Sequence, residues 1–258
     1  MQDWLDGRIA IITGASAGIG EALARDFVHR GARVVINARR EGRLRELAEG
    51  LGAGRVATVA GDASEEAVIE RLFQAARERF EDEADLVVVN AGRGLNGSVT
   101  TSDPAQWEGM IRTNLLGAAK LMRAASHHLL ADIENSGSSW QQQARDIVVI
   151  GSTVGRHISP FSSMYGSTKF AVNSLAEALR REIGPKGVRV SLIEPGFVRS
   201  EFQGVAGYAD DWFAGVVERI GPVLTPMDVA EIVSFLVSRP PQVHLSDALI
   251  RPTRQDYP

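Results

Sequence analysis

Apolar positions along the chain fall into short continuous runs, separated by longer segments in which apolar residues recur with helical spacing. The runs predict strands at 8–12, 33–38, 56–60, 86–90, 147–150, 188–193 and 245–250. The segments between them predict helices at 18–29, 40–50, 64–80, 104–131 and 164–183. A late helix begins at Thr225-Pro226, with the threonine as N-cap and the proline in the first helical position. Continuous apolar strands that alternate with helices predict a parallel sheet covered on both faces.

Two segments depart from this alternation. Residues 134–145 are polar and predict a solvated surface loop, whereas residues 197–221 are rich in glycine and aromatics and predict a mobile flap over the substrate. At 258 residues the chain has the length of one large α/β domain. Two small domains are the alternative, but no linker is recognisable, so 1–258 is predicted to form a single domain.

Composition excludes several classes of function. The net charge is −4 and no block of basic residues occurs, which disfavours binding to nucleic acid or to an anionic membrane. The absence of cysteine excludes disulfides and thiolate metal sites, and it fits a cytoplasmic protein. No apolar run approaches the roughly 20 residues that cross a bilayer, and residues 1–7 do not resemble a signal peptide. His127-His128 has no partner at metal-ligand spacing, so no metal site is predicted.

A glycine-rich loop, Thr13-Gly14-Ala15-Ser16-Ala17-Gly18-Ile19-Gly20, lies between the first predicted strand and the first predicted helix. Gly14 permits the tight turn, Gly18 lets a pyrophosphate approach the backbone, and Gly20 lets the helix pack closely. The helix N-terminus would present free N–H groups to the anion. An ordinary glycine-rich turn is the alternative, and the position between strand and helix favours a dinucleotide site.

The residues at the end of the second strand indicate which dinucleotide would bind. NAD sites place an acid about 20 residues after the glycines, whereas this chain has Asn37-Ala38-Arg39-Arg40. Arginine suits the 2′-phosphate of NADP(H) by charge and by bidentate geometry. The alternative is that Arg39 and Arg40 are the solvated start of the next helix.

Candidate acid–base chemistry comes from Tyr165 and Lys169, one helical turn apart, with Ser152 thirteen residues upstream of Tyr165. Only three of the 28 basic residues are lysines, so a lysine at this spacing indicates a specific requirement. Two charges about 4 Å apart at an effective dielectric near 20 interact by about 4 kcal/mol. That would lower the phenol pKa from about 10 towards neutrality, and the tyrosine could then exchange a proton with an alcohol or carbonyl oxygen.

The order and spacing of these motifs resemble the short-chain dehydrogenase/reductase family, in its single-domain form, from about residue 6 to residue 252. The matching residues also include Asp62, Asn90-Ala91-Gly92, Asn114 and Pro195-Gly196. The resemblance implies an α/β fold: a doubly wound Rossmann domain with a mostly parallel seven-stranded sheet. It also implies a homodimer or homotetramer, formed through the helices at 104–131 and 164–183. The apolar residues available for that packing are Leu115, Leu116, Leu121, Leu175, Ala178 and Leu179.

The resemblance assigns roles to individual residues. Asn114 would kink its helix and hold a water that relays protons to Lys169, and Ser152 would hydrogen-bond the substrate oxygen. Tyr165 would be the general acid/base, and Lys169 would lower its pKa and hold the nicotinamide ribose. The implied cofactor-binding residues are Gly14, Ser16, Gly18, Ile19, Gly20, Arg39, Arg40, Asp62, Ala63, Asn90, Ala91, Gly92, Tyr165, Lys169, Pro195, Gly196, Val198 and Ser200.

The implied function is an NADP(H)-dependent oxidoreductase that interconverts a ketone or aldehyde and an alcohol. Residues 243–255 and Glu194-Pro195-Gly196 are similar to the branch acting on small 3-hydroxy acids, which is one alternative. A non-catalytic NADP(H)-binding protein is another, although it would not need Ser152, Tyr165 and Lys169. A Rossmann methyltransferase would not need them either.

Two further groups of residues are candidates for contact with the substrate. The basic group could bind a carboxylate or could be solvated, and it comprises Arg93, Arg156, His157 and Arg199. The aromatic group could form an apolar lid or pack between helices, and it comprises Phe197, Phe202, Tyr208, Trp212 and Phe213.

Overall fold

Seven parallel strands form the central sheet of the computed structural model, which describes residues 4–52 and 54–256. The strands are β1 (Ile9–Thr13), β2 (Arg33–Ala38), β3 (Val56–Ala60), β4 (Leu86–Val89), β5 (Arg145–Ile150), β6 (Val188–Pro195) and β7 (Asp247–Ile250). Their order is β3-β2-β1-β4-β5-β6-β7, and every neighbouring pair is parallel. The predicted seven-stranded sheet is therefore confirmed. The order reverses between β1 and β4, which is where open α/β sheets form a binding crevice.

Helices cover both faces of the sheet. They are α1 (Gly18–His29), α2 (Glu41–Leu51), α3 (Glu66–Phe80), α4 (Trp107–Ile111), α5 (Ala118–Asn135), α6 (Ser163–Ile183), α7 (Phe202–Ala206), α8 (Asp210–Ile220) and α9 (Pro226–Val237). Successive residues of β1 point to opposite faces: Ile12 packs in a core with residues of α1, α2 and α9, and Ile11 in a core with residues of α3, α5 and α6. Two cores on the two sides of one parallel sheet are the doubly wound arrangement that the sequence predicts.

The predicted helix at 104–131 is a composite in the structure. A 3₁₀ turn at Pro104–Gln106 leads into α4, a π-helical segment at Arg112–Gly117 follows, and α5 continues to Asn135. Hydrophobic periodicity does not distinguish these helix types over a single turn, so the sequence did not predict the π-helical segment. Asn114 lies within it, and such segments are frequent at functional sites.

The prediction of a solvated loop at 134–145 is wrong at the ends of that segment. The helix α5 covers its first two residues, and Arg145 begins β5 with a fully buried side chain. The Arg145 guanidinium donates to Asp132 Oδ2 at 2.6 Å and to Ser136 Oγ at 3.0 Å, which compensates for its burial. A buried arginine with an acidic partner thirteen residues away gives no periodic signal in the sequence.

The segment 197–221 contains the helices α7 and α8. It approaches the loop after β4, because a Cβ added to Gly94 would lie 2.5 Å from the Phe202 ring and 2.6 Å from Ala206 Cβ. In addition, the backbone N–H of Asn96 donates to Ala206 O at 2.8 Å. Close packing of α7 on this loop therefore places it beside the carboxyl end of the sheet.

One residue expected at a subunit interface is in the core. Leu121 is buried against the sheet, and Leu115 and Leu179 pack partly against the same core. Leu116, Leu175 and Ala178 are exposed, so these members of the predicted set are accessible to a second chain.

Candidate active site

The glycine-rich loop has the backbone conformation that the sequence predicts. Gly14 and Gly18 have φ angles of +69° and +59°, which residues with a side chain rarely adopt. A Cβ on Gly20 would lie 2.4 Å from Gly14 O and 2.6 Å from Asn90 Nδ2, so any side chain there would push α1 away from the loop. No side chain caps the start of α1 at Ala17. Its N–H groups are therefore available to an anion, which fits the pyrophosphate of a dinucleotide.

Hydrogen bonds fix the carboxyl ends of β1 and β4 on the two sides of the crevice. The Thr13 hydroxyl accepts from the backbone N–H groups of Asn90 at 3.2 Å and of Ala91 at 3.1 Å. The Asn90 amide donates to Thr13 O at 2.8 Å. Thr13 therefore holds the start of the Asn90-Ala91-Gly92 segment against β1.

The end of β2 has no carboxylate. The Asn37 amide donates to Val59 O at 2.9 Å and to Gly61 O at 3.2 Å, which ties β2 to β3. Asp62 follows β3, and the backbone N–H of Ser64, assisted by the charge of Arg39, holds the Asp62 pKa below its usual value. Asp62 is therefore ionised at neutral pH and can accept hydrogen bonds from a nucleoside.

A cavity of about 1180 Å³ runs from the glycine-rich loop across the carboxyl ends of the strands to the helices α7 and α8. It collects nearly every residue that the resemblance implies. Those that line it are Gly14, Ser16, Gly18, Ile19, Arg39, Arg40, Asp62, Ala63, Asn90, Ala91, Gly92, Ser152, Tyr165, Lys169, Pro195, Gly196, Val198 and Ser200. Gly20 and Asn114 lie behind its wall, where they act on neighbouring backbone.

Tyr165 and Lys169 meet in this cavity, but the expected effect of Lys169 on Tyr165 is absent from the protein alone. Lys169 Nζ donates to Ile150 O at 2.9 Å and lies 6.0 Å from the centroid of the Tyr165 ring. Burial raises the pKa of Tyr165 well above its usual value, although a hydrogen bond with Ser152 acts in the opposite direction. Burial also lowers the pKa of Lys169 to about 8. Desolvation penalises the charged form of each group, so the Tyr165 pKa moves opposite to the direction that the spacing predicts.

Asn114 joins the loop after β4 to α6. Its Oδ1 accepts from Arg93 N at 2.8 Å, and its Nδ2 donates to Arg93 O at 2.8 Å and to Thr168 Oγ1 at 3.1 Å. A Cβ on Gly92 would lie 3.4 Å from Asn114 Oδ1 and 3.8 Å from Lys169 Nζ, so the Asn114 amide and the Lys169 ammonium both lie beside Gly92. Asn114 lies within the π-helical segment, and the helix kink and the water relay expected of it stay predictions.

Aromatic side chains cover the end of the cavity next to Tyr165. The Phe202 ring lies 5.6 Å from the Tyr165 ring, and Trp212 lies 4.6 Å from Tyr208 and 6.1 Å from Phe197. These four aromatics from 197–221 line the cavity, together with Phe161. Phe213 does not line it and lies beneath the Arg199 guanidinium instead.

Most of the candidate basic residues lie outside the cavity. Arg156 pairs with Glu194 at 2.5 Å in a separate surface pocket, and His157 forms a hydrogen bond with Arg251. Arg93 lines the cavity, and its guanidinium donates to Gln106 Oε1 at 2.6 Å.

His128 stacks on Phe73 and does not line the cavity. Sequence reasoning missed Arg219, Glu201 and Gln255, which also line the cavity and follow no local motif.

Comparison with known proteins agrees with this geometry. A family model described as short chain dehydrogenase matches residues 8–209, and the chain belongs to that family. It is 30% identical to an uncharacterised oxidoreductase of Staphylococcus saprophyticus over 251 residues, which cover 96% of this chain and 98% of the relative.

Two solved structures resemble the fold closely. The closed form of a serine dehydrogenase complexed with NADP+ has a TM-score of 0.83 and 32% identity, with 96% of each chain covered. A 3-ketoacyl-(acyl-carrier-protein) reductase of Brucella melitensis complexed with NADH has a TM-score of 0.85 and 27% identity, covering 97% of this chain and 99% of that one. The protein is therefore an oxidoreductase of this family with a site for a nicotinamide cofactor. Within 4–52 and 54–256, no helix is long and apolar enough to cross a membrane.

Proposed function

We propose that the protein is an NADP(H)-dependent carbonyl reductase, acting on ketones or aldehydes and, in reverse, on the corresponding alcohols. The observation that carries this proposal is the convergence of Ser152, Tyr165 and Lys169 on the cavity that also contains the glycine-rich loop. A bound nicotinamide cofactor would supply the hydride to the carbonyl carbon. The remaining work of the chain is to position the carbonyl and to give its oxygen a proton.

Tyr165 is the proposed proton donor to that oxygen. Because burial raises its pKa, the phenol is protonated at neutral pH, as a donor in the reductive direction must be. The Ser152 hydroxyl lines the same cavity and would hydrogen-bond the carbonyl oxygen. Lys169 is still mostly protonated at pH 7 with a pKa of about 8, and its charge would stabilise negative charge that develops nearby.

Preference for NADP(H) over NAD(H) is part of the proposal. The carboxyl end of β2 presents Asn37, whose amide is engaged with the backbone, and no carboxylate for a ribose hydroxyl. Arg39 and Arg40 line the cavity directly after it. The NADP+ bound by the related serine dehydrogenase structure supports the same choice. Titration of the protein with NADPH and NADH tests it, and equal affinities would contradict it.

The substrate end favours carbonyl compounds with an apolar portion. Phe202, Tyr208 and Trp212 form one wall of the cavity, and Phe161 at its mouth is 73% exposed. Of the candidate carboxylate ligands, Arg156 and His157 are paired elsewhere. A dehydrogenase of small 3-hydroxy acids is the second candidate, and the similarity to a serine dehydrogenase favours it.

The substitution Tyr165→Phe tests the catalytic assignment. It removes the hydroxyl and keeps the ring that packs against Phe202, so folding and NADPH binding should change little. Turnover should fall by about 10²-fold or more, the lower range for loss of a positioned acid. Tyr208→Phe is the matched control, because it removes another tyrosine hydroxyl from the cavity lining. This variant should retain most of the wild-type activity. The assays are steady-state NADPH oxidation over ketones, aldehydes and keto acids. More than a tenth of the wild-type turnover in Tyr165→Phe would contradict the assignment.

A further inference from the structure

The segment Ser200-Glu201-Phe202, called the strap, runs through the cofactor cavity from the glycine-rich loop to the catalytic tyrosine. At its start, a Cβ on Gly18 would lie 3.4 Å from Ser200 Cβ. At its end, the Phe202 ring lies 5.6 Å from the Tyr165 ring. All three residues line the cavity. The strap therefore spans the groove in which a dinucleotide would lie.

The carboxylate of Glu201 connects the middle of the strap to Arg40 after the end of β2. Its Oε2 accepts from Arg40 Nη1 at 2.8 Å, and its Oε1 lies 3.8 Å from Arg43 Nη2. Arg40 is itself held by the glycine-rich loop, because its Nε donates to Ser16 Oγ at 3.1 Å and its Nη2 to Ser16 O at 3.2 Å. Glu201, Arg40 and Ser16 thus form a continuous bridge over the groove.

The neighbouring Arg39 differs from Arg40 in its hydrogen bonding. It makes no hydrogen bond or ion pair with the residues that the structure describes, and its charge acts on Asp62 across the ribose end. Each nitrogen of the Arg40 guanidinium, by contrast, already donates to Ser16 or Glu201. The two adjacent arginines therefore have separate environments within one cavity.

We propose that Glu201 is a positioning residue that latches the strap to Arg40 over the cofactor, while Arg39 alone provides the charge that selects the 2′-phosphate. This inference rests on the proposed NADP(H)-dependent function and divides a role that the sequence assigns to both arginines. It predicts that the Arg40–Glu201 pair governs how long either cofactor stays bound. The choice between NADPH and NADH should depend on Arg39.

The size of the effect follows from exposure. The side chains of Arg40 and Glu201 are 49% and 51% exposed. The pair should therefore contribute the small interaction free energy that is usual for surface ion pairs. Glu201→Gln should accelerate release of NADPH and of NADH by about two- to fivefold, which corresponds to about 0.4–1 kcal/mol. Arg40→Gln should do the same, and the double variant should release cofactor no faster than either single variant.

Release is measured by stopped-flow displacement of bound NADPH or NADH with excess oxidised cofactor, following energy transfer from tryptophan, since Trp212 lines the cavity. Glu41→Gln is the matched control, because it removes an exposed ion pair with Arg45 that lies outside the cavity. Its release rates should equal those of the wild type. Arg39→Gln should lower the NADPH affinity relative to NADH by about tenfold or more, without changing the rate of NADH release.

Unchanged release rates in Glu201→Gln, or effects of the two single variants that multiply in the double variant, would overturn the latch. Loss of the NADPH preference in Arg40→Gln but not in Arg39→Gln would overturn the division of roles. Equal affinity of the wild type for NADPH and NADH would instead contradict the proposed cofactor preference, and the release rates would still decide the latch.

Discussion

At the scale of single residues, the most unusual group is the ammonium of Lys169. It is buried, and within the described chain its Nζ hydrogen-bonds a backbone carbonyl and forms no ion pair. Burial of a charge without an opposite charge is costly, and the lowered pKa of about 8 expresses that cost. The protein therefore carries a destabilising group in its candidate active site, as catalytic sites commonly do.

The pH dependence of stability should reveal this cost. The pKa of Lys169 is about 8 in the folded protein, against a reference value of 10.5, so between these values the unfolded state binds more protons. The stability of the wild type should consequently rise with pH across that window, relative to Lys169→Met, which cannot titrate. The relative gain should be about 3 kcal/mol in total, at about 1.4 kcal/mol per pKa unit.

Urea unfolding of both proteins at several pH values between 8 and 10.5 measures this difference. Lys186→Met removes an exposed lysine and serves as the control. Parallel stability curves for the wild type and Lys169→Met would show that the ammonium is not destabilised by burial.

At the scale of elements, the contact between α7 and the loop after β4 controls the shape of the site. Gly94 leaves room for both Phe202 and Ala206, and the Phe202 ring in turn lies beside the Tyr165 ring. A small displacement of α7 would therefore reach the catalytic tyrosine directly. The core of the sheet is separate from this contact, because Phe202 is outside both buried clusters.

Gly94→Ala should lower kcat/KM by about one to two orders of magnitude, the effect expected of displacements near 1 Å. The added Cβ would lie 2.5 Å from the Phe202 ring, so α7 must move away from Tyr165. The midpoint of thermal unfolding should change little. Gly204→Ala is the matched control in α7 itself, because nothing lies within 4 Å of its added Cβ. Wild-type kcat/KM in Gly94→Ala would contradict the close packing of α7.

At the scale of the whole molecule, ion pairs hold the strands together at the amino end of the sheet, and the cavity lies at the carboxyl end. At the amino end, Asp146 accepts from Arg189 at 2.7 and 2.9 Å and from Arg8 at 2.8 Å, which ties β1, β5 and β6 together. At the carboxyl end, the strands open into the cavity. A rigid amino end allows loops at the other end to vary. That the chain is one domain, with 197–221 covering the substrate, stays a prediction.

Assembly is also a property of the whole molecule. We expect a homodimer or homotetramer formed through α5 and α6 with their neighbouring turns, where Leu116 is 52% exposed and Leu175 37% exposed. Sedimentation at micromolar concentration should give a species at least twice the 27.8 kDa of the chain. Leu116→Glu should shift the distribution towards monomer, because it would bury a charge in the contact. A wild type that sediments only as monomer would rule out this assembly.

Local patterns in the sequence determined the strand and helix alternation, the parallel sheet and the conformation of the glycine-rich loop, whereas the family resemblance pointed to most of the residues that line the cavity. The N-cap at Thr225 also follows from sequence, and in the structure Asp228 N donates to Thr225 Oγ1 at 3.3 Å. Such features depend on residues close together in the chain, whose periodicity and spacing are visible without a structure. Gly14 and Gly18 fall in this class, since their positive φ angles belong to the turn itself.

Tertiary structure alone decided the features that depend on burial or on distant partners. The bond between Arg40 and Glu201 joins residues 161 positions apart, and the burial of Leu121 depends on which face of its helix meets the sheet. The direction of the Tyr165 pKa shift is the clearest case. The Lys169 spacing predicts a lowered pKa, whereas burial raises it, and burial is set by everything that packs around the phenol rather than by its neighbours in sequence.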